Sequence, residues 1–220
     1  MPEGRPELTD LVGGASQELA SVHAAREAGL AACRQTIRAA GSAIRAVHRR
    51  QPDKVAGHIA ACEAALRDAQ QALGPFPAAA YSGFLHDAEK EYAEAVLTRD
   101  LIGGGELPGP HALGVQVPAW LNGLVEAASE LRRQILDLLR QGDSRSAESL
   151  LAAMEDVYEA VVLVDYPDAV TGGLRRSADS LRAVLERTRS DLTTTLLQFR
   201  LQAALERRAP GEDGGAGALA

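Results

Sequence analysis

Aromatic side chains make up only 4% of this sequence, with one tryptophan, three phenylalanines and four tyrosines among 220 residues. Runs of β-branched residues are few as well, which removes the usual material of a sheet protein. Cys33 and Cys62 are the two cysteines, too few for a disulfide framework, and both fall on apolar helical positions, so buried free thiols are expected. No stretch approaches the roughly 20 apolar residues needed to cross a bilayer, and the start, M-P-E-G-R-P-E-L-T-D, lacks an apolar signal core. A soluble, cytoplasmic protein with no membrane partner is the expectation. Positive charge is also in deficit, because the net charge is −7, so any nucleic-acid partner must be held by local patches.

Several chemistries are missing their signatures. None of the five histidines has a glutamate three residues before it, which argues against a ferritin-like di-iron centre. There is no Gly-x-x-x-x-Gly-Lys phosphate loop and no nucleophile elbow. His58 and Cys62 have zinc-like spacing, yet no second pair accompanies them, and a packed thiol near a histidine is the better reading.

What is present is helix. Hydrophobic residues are 46% and charged residues 24%, alanine is abundant, and apolar residues recur in steps of three and four. A short helix is expected over residues 7–12, stopped by Gly13 and Gly14, followed by a long helix from residue 16 to about 49. Its apolar stripe is Leu30, Cys33, Ile37, Ala40, Ile44 and Val47. Arg34, Arg38, Arg45 and Arg49 share another side at about 100° per residue, a phosphate-contacting candidate whose bland alternative is a solvated surface. Pro52 opens the next helix, which ends at Gly74-Pro75. A third spans about 77–100 with Tyr81, Phe84, Leu85, Ala88, Tyr92, Ala95 and Val96 inward. Further helices carry Leu121 to Leu138, then Ala147 to Val164 after an Asp143 or Ser144 cap, then Leu174 to Phe199. The fold class is therefore all-α, a single-domain bundle of six to seven helices over residues 15–207. Residues 1–14 form an N-terminal segment, and 208–220 form a disordered tail. Helices longer than a compact monomer needs suggest that some stripe is buried between subunits.

Within this frame four carboxylates stand out. Glu91 and Glu94 lie three apart in K-E-Y-A-E-A, and Glu126 and Glu130 lie four apart in E-A-A-S-E, so each pair shares a helical face. The glycines and prolines of residues 102–111 force a turn between them, from which an antiparallel helix pair is expected. Glu94 and Glu126 then sit roughly 9 and 12 Å from the turn, at nearly the same level. Four converging carboxylates repel unless a cation neutralises them, and all-oxygen ligands suit Mg²⁺ or Mn²⁺. The alternative is two solvated acidic faces.

K-E-Y-A-E-A, then G-E-L-P and L-G-V, then W-L-N-G-L-V-E-A-A-S-E-L-R-R-Q-I-L-D, then D-Y-P-D-A and L-R-R-S-A-D-S-L-R-A-V-L-E-R-T-R-S-D-L-T resemble, in this order, the translin family over about residues 21–205. The resemblance implies an all-α fold of about seven helices, a closed homo-oligomeric octamer, and binding of single-stranded RNA or DNA. The four acids are similar to those of its catalytic branch, the translin-associated factor X type. They imply a Mg²⁺- or Mn²⁺-dependent endonuclease in which Glu91, Glu94, Glu126 and Glu130 are metal-binding and catalytic. Arg133 and the Arg34 to Arg49 stripe are candidate nucleic-acid contacts. The chain departs from the family pattern at Glu126, where aspartate is usual, and at Ser129, where glycine is usual. A non-catalytic single-strand-binding protein of the translin type is the alternative. A bundle that only mediates protein contacts is a third reading.

Overall fold

The computed structural model describes residues 7–80 and 83–208. Among them the regular structure is helical: α1 Leu8–His48, α2 Pro52–Leu73, α3 Pro77–Ala80, α4 Phe84–Gly103, α5 Pro110–Leu113, α6 Val117–Arg140, α7 Ser144–Val162, α8 Asp168–Thr171 and α9 Leu174–Arg208. Six of these are long, as the periodicity implies, and the other three are single turns of four residues. Pro52 occupies the first turn of α2, where its missing N–H costs nothing. Asp143 caps α7, its Oδ1 accepting from the Ser146 N–H at 3.1 Å.

Two boundaries differ from the sequence reading. Gly13 and Gly14 do not stop a helix, since α1 runs through them; glycine weakens a helix by about 1 kcal/mol but breaks one only where another conformation is favoured. The expected helix over 77–100 is instead divided, because Gly83 adopts φ +98°, a left-handed conformation closed to a helix, and α4 starts after it. Tyr81 of the expected stripe and the tail from 209 onward lie outside the described residues.

The core is built from small residues where helices approach and larger ones where they diverge. Ala40, Ala43, Ala88, Ala93, Ala95, Ala127 and Ala128 are fully enclosed, alongside Leu97, Leu131, Ile135, Met154 and Leu181. α1 packs on α2 and α4, while α6 packs on α4, α7 and α9 and is thus the central helix. Cys33 and Cys62 are buried free thiols, as expected. Burial pushes them up to about 11 and about 12, and the Cys62 thiol donates to the Thr36 carbonyl at 3.3 Å. Two stripe residues miss the core. Ile37 is exposed because the buried side of α1 is centred on Cys33, Thr36, Ala40 and Ala43. Phe199 is exposed because the end of α9 outruns the helices that cover its start. Leu8, Leu11, Val12 and Leu19 on α1, and Leu197, Leu201 and Leu205 on α9, are likewise exposed. No described helix is long and apolar enough to cross a membrane.

The main topological correction concerns α4 and α6, which run in the same sense rather than antiparallel. Their starts share one end of the bundle: Gly83 and Pro118 line one cavity, and the Gln116 N–H donates to Glu89 Oε2 at 3.1 Å. Their far ends share the other: Gly103 and Arg50 border one recess, and Arg50 Nη2 donates to Gln141 Oε1 at 3.3 Å. Residues 104–116 are therefore a return strap. Going back from the level of Gly103 to that of Glu89 requires about 21 Å, and thirteen residues can span roughly 43 Å when extended. The strap is pinned by Trp120 Nε1–H to the Pro108 carbonyl and by Gln70 Nε2–H to the Gly114 carbonyl, each at 2.9 Å. Glu89, buried in α4, accepts from Gln70 Nε2 at 2.9 Å as well as from Gln116, and so anchors the entry to α6.

Candidate metal centre

Both acid pairs lie near the middle of their helices, so they meet at one level whichever way the helices run. What brings them together is a close backbone approach at Gly123. A Cβ built there would lie 2.8 Å from the Lys90 carbonyl oxygen, 2.9 Å from Ala93 Cβ and 3.0 Å from the Glu94 nitrogen. Only glycine allows α6 to press this closely on α4. One turn later Glu126 projects into the same space as Glu91 and Glu94.

Carboxylate oxygens of Glu91, Glu94 and Glu126 all lie within 4.8 Å of one another. Glu94 is buried, while Glu91 and Glu126 are half-buried. Burial, with the charges of Glu126 and Glu91 added, pushes Glu94 up to about 9. Glu91 is raised too, chiefly by burial, with Lys90 opposing and Glu126 reinforcing.

Glu130 stands apart from this trio. Its Oε2 accepts a 2.7 Å hydrogen bond from Nε2 of His48, whose side chain is almost wholly buried in the last turn of α1. That bond holds Glu130 below the usual carboxylate range despite its burial. Asp87, in line with Glu91 and Glu94 along the helix, is exposed. Lys90 reaches across to α6, its Nζ 2.8 Å from Glu126 Oε1 and 3.6 Å from Glu91 Oε1. Burial disfavours its ammonium, but the hydrogen bond and charge of Glu126, with Glu91 and Glu94, outweigh this and hold Lys90 above its ordinary value.

His48 and Lys90 escaped the sequence reading as site residues. Lys90 sits directly before Glu91, and spacing alone does not say that it folds back onto Glu126. His48 follows Val47 at the end of an apolar stripe, where an enclosed histidine looks like packing. Arg34, Arg38, Arg45, Arg49 and Arg133 are all exposed. Arg133 lies close enough to Glu130 to lower it further.

The donor set fits a hard divalent cation: three carboxylates from two helices, oxygen ligands only.

No protein-family model matches the chain. An uncharacterized protein of Methanocaldococcus jannaschii is 29% identical over 136 residues, which are 61% of this chain and 60% of that protein, so the likeness spans less than two thirds of that relative's length. Among solved structures, AfC3PO in a complex with duplex RNA is similar with a TM-score of 0.78 and 30% identity, covering 85% of this chain and 97% of that one. AfC3PO alone gives 0.77 and 29%, with the same coverage. Apo-NeC3PO gives 0.76 at 16% identity over 88% of this chain and 99% of that one, a likeness of fold alone.

Proposed function

This chain belongs to the translin family, sharing the C3PO fold over 85% of its length, and on that premise we propose that it is a metal-dependent endonuclease. Its substrate is single-stranded RNA, or single-stranded DNA, taken up in a closed homo-oligomeric shell in the cytoplasm, an octamer by family resemblance. The observation that carries this reading is the convergence of Glu91, Glu94 and Glu126 within 4.8 Å across α4 and α6. These three would hold Mg²⁺ or Mn²⁺. Such an ion, when bound, supplies an activated water and stabilises charge on the phosphate oxygens.

The remaining steps fall to the chain's own groups. Glu130 is ionised, and His48 occupies its Oε2, leaving Oε1 to accept a proton from the attacking water. Gly123 keeps Glu126 at the level of Glu91 and Glu94. Arg133, one turn beyond Glu130, and the Arg34, Arg38, Arg45 and Arg49 stripe would receive backbone phosphates. RNA as the partner is supported by the complex in which AfC3PO was solved, although that RNA is a duplex; strand preference is therefore one arm of the test.

The second reading, a non-catalytic nucleic-acid-binding subunit, draws on the Lys90 to Glu126 pair, which partly neutralises the acids without a metal. Labelled single-stranded RNA, single-stranded DNA and duplex RNA incubated with the purified chain in Mg²⁺, in Mn²⁺ and in excess chelator separate the two. The proposal expects cleavage that requires metal, falls at least about 100-fold in Glu91→Ala and Glu126→Ala, and favours single strands. Binding without metal-dependent cleavage supports the second reading. Cleavage persisting in both variants places the chemistry elsewhere. Light scattering gives the subunit number.

A further inference from the structure

Lys90 is one of only two lysines among the chain's 23 basic residues; the other, Lys54, is an exposed residue in the first turn of α2. A half-buried ammonium lies 2.8 Å from Glu126 and 3.6 Å from Glu91, two of the three acids that converge from α4 and α6. A divalent ion held by Glu126 and Glu91 would stand within a few ångströms of this ammonium, and the two positive charges repel. We infer that Lys90 is a built-in counter-ion of the cluster, which steadies the metal-free protein and which a divalent cation must displace from Glu126 on binding.

This inference rests on the metal reading above and adds a role for a residue outside the ligand set. It has two consequences of opposite sign. Removing the ammonium exposes Glu126 and Glu91 to each other, so the metal-free protein loses stability. It also removes the competitor, so the metal binds more tightly. A lysine that merely braced α4 against α6 would, when removed, loosen the site and weaken metal binding along with stability. A lysine that only relieved repulsion and was never displaced would keep its hydrogen bond as metal enters.

The test uses the full chain, without nucleic acid, and Mn²⁺ as the probe. Binding is measured by calorimetry for wild type, Lys90→Gln and Lys90→Arg at fixed ionic strength, with melting recorded in chelator and at saturating Mn²⁺. Because both partners are partly exposed, the gain is modest: Lys90→Gln should bind Mn²⁺ about ten-fold more tightly than wild type. It should melt lower in chelator and recover at saturating Mn²⁺. Lys90→Arg, which keeps the charge, should bind like wild type. In wild type selectively ¹³C-labelled at lysine, saturating Mg²⁺ should shift the Lys90 side-chain signal and leave Lys54 in place. Equal or weaker Mn²⁺ affinity in a folded Lys90→Gln protein, or a Lys90 signal unmoved by bound Mg²⁺, overturns the inference while leaving the metal centre intact. Failure of wild type and both variants to bind Mn²⁺ overturns the metal reading, and this inference with it.

Discussion

Replacing Gly123 with alanine tests the packing that creates the site. The added methyl would meet the Lys90 carbonyl oxygen at 2.8 Å and the Glu94 nitrogen at 3.0 Å, both backbone atoms of α4, and the Ala93 methyl at 2.9 Å. No rotamer change relieves a clash with backbone, so α4 and α6 must part by about half an ångström to reach van der Waals separation. Overpacking a core in this way costs up to about 3 kcal/mol. Replacing a glycine inside a helix returns about 1 kcal/mol. The expected net loss is about 2 kcal/mol, read from urea unfolding in chelator. Gly57 supplies the control, since it lies exposed in α2 with no atom within 4 Å of the place its added methyl would take, and Gly57→Ala should stabilise by about 1 kcal/mol. Parting the helices also spreads the three carboxylates, so Mn²⁺ affinity in Gly123→Ala should fall by roughly ten-fold, on the order of 1.4 kcal/mol. A Gly123→Ala protein as stable as wild type, or one that loses stability while keeping full Mn²⁺ affinity, would refute the claim that this contact sets the geometry of the centre.

The pH dependence of the metal-free protein follows from Glu94, raised from 4.5 to about 9. Between those values the folded chain holds a proton that the unfolded chain has released, so stability falls as pH rises through the window. Melting of wild type in chelator should decline from pH 5 to 9, and Glu94→Gln, which mimics the protonated acid, should flatten that decline; an unchanged slope argues against it. His48→Ala strips Glu130 of its buried donor and should cost about 2 kcal/mol in urea unfolding. A double-mutant cycle with Glu130→Gln should show a coupling above about 0.5 kcal/mol, and strict additivity would mean the 2.7 Å bond carries no weight. Replacing Arg34, Arg38, Arg45 and Arg49 together by alanine should weaken binding of a single-stranded oligonucleotide at every salt concentration. If all four meet phosphates, the slope of log affinity against log salt should shrink by up to about 3; an unaltered slope would assign the stripe to ordinary solvated surface.

Local features of the chain carried most of the helix assignments and the identity of the acids. Three- and four-residue periodicity marks which side of a segment is apolar, and that depends only on backbone geometry within the segment. The buried sides of α2, α6 and α7 match their stripes for this reason: Val55, Ile59, Cys62 and Leu66; Leu124, Ala128, Leu131 and Ile135; Ala147, Leu151, Met154 and Val157. The same logic singled out Glu91, Glu94, Glu126 and Glu130. Where glycine was concerned, sequence proved ambiguous, since Gly13 and Gly14 stay helical while Gly83 breaks a helix with φ +98°. Glycine permits both conformations, and packing selects between them.

Tertiary structure decided the direction of α6, the composition of the cluster and its neutralisation. Thirteen residues between Gly103 and Val117 can form a turn or a return strap, and the contacts made by Glu89, Gln70 and Trp120 choose the strap. Spacing placed four acids on two faces; the approach at Gly123 brought Glu91, Glu94 and Glu126 together, while Glu130 is hydrogen-bonded to a histidine 82 positions away in the chain. Contacts across such distances depend on where whole helices come to rest. Nothing in the residues flanking Glu130 or His48 encodes that position, which is why the sequence alone named the acids and only the folded chain assigned their partners.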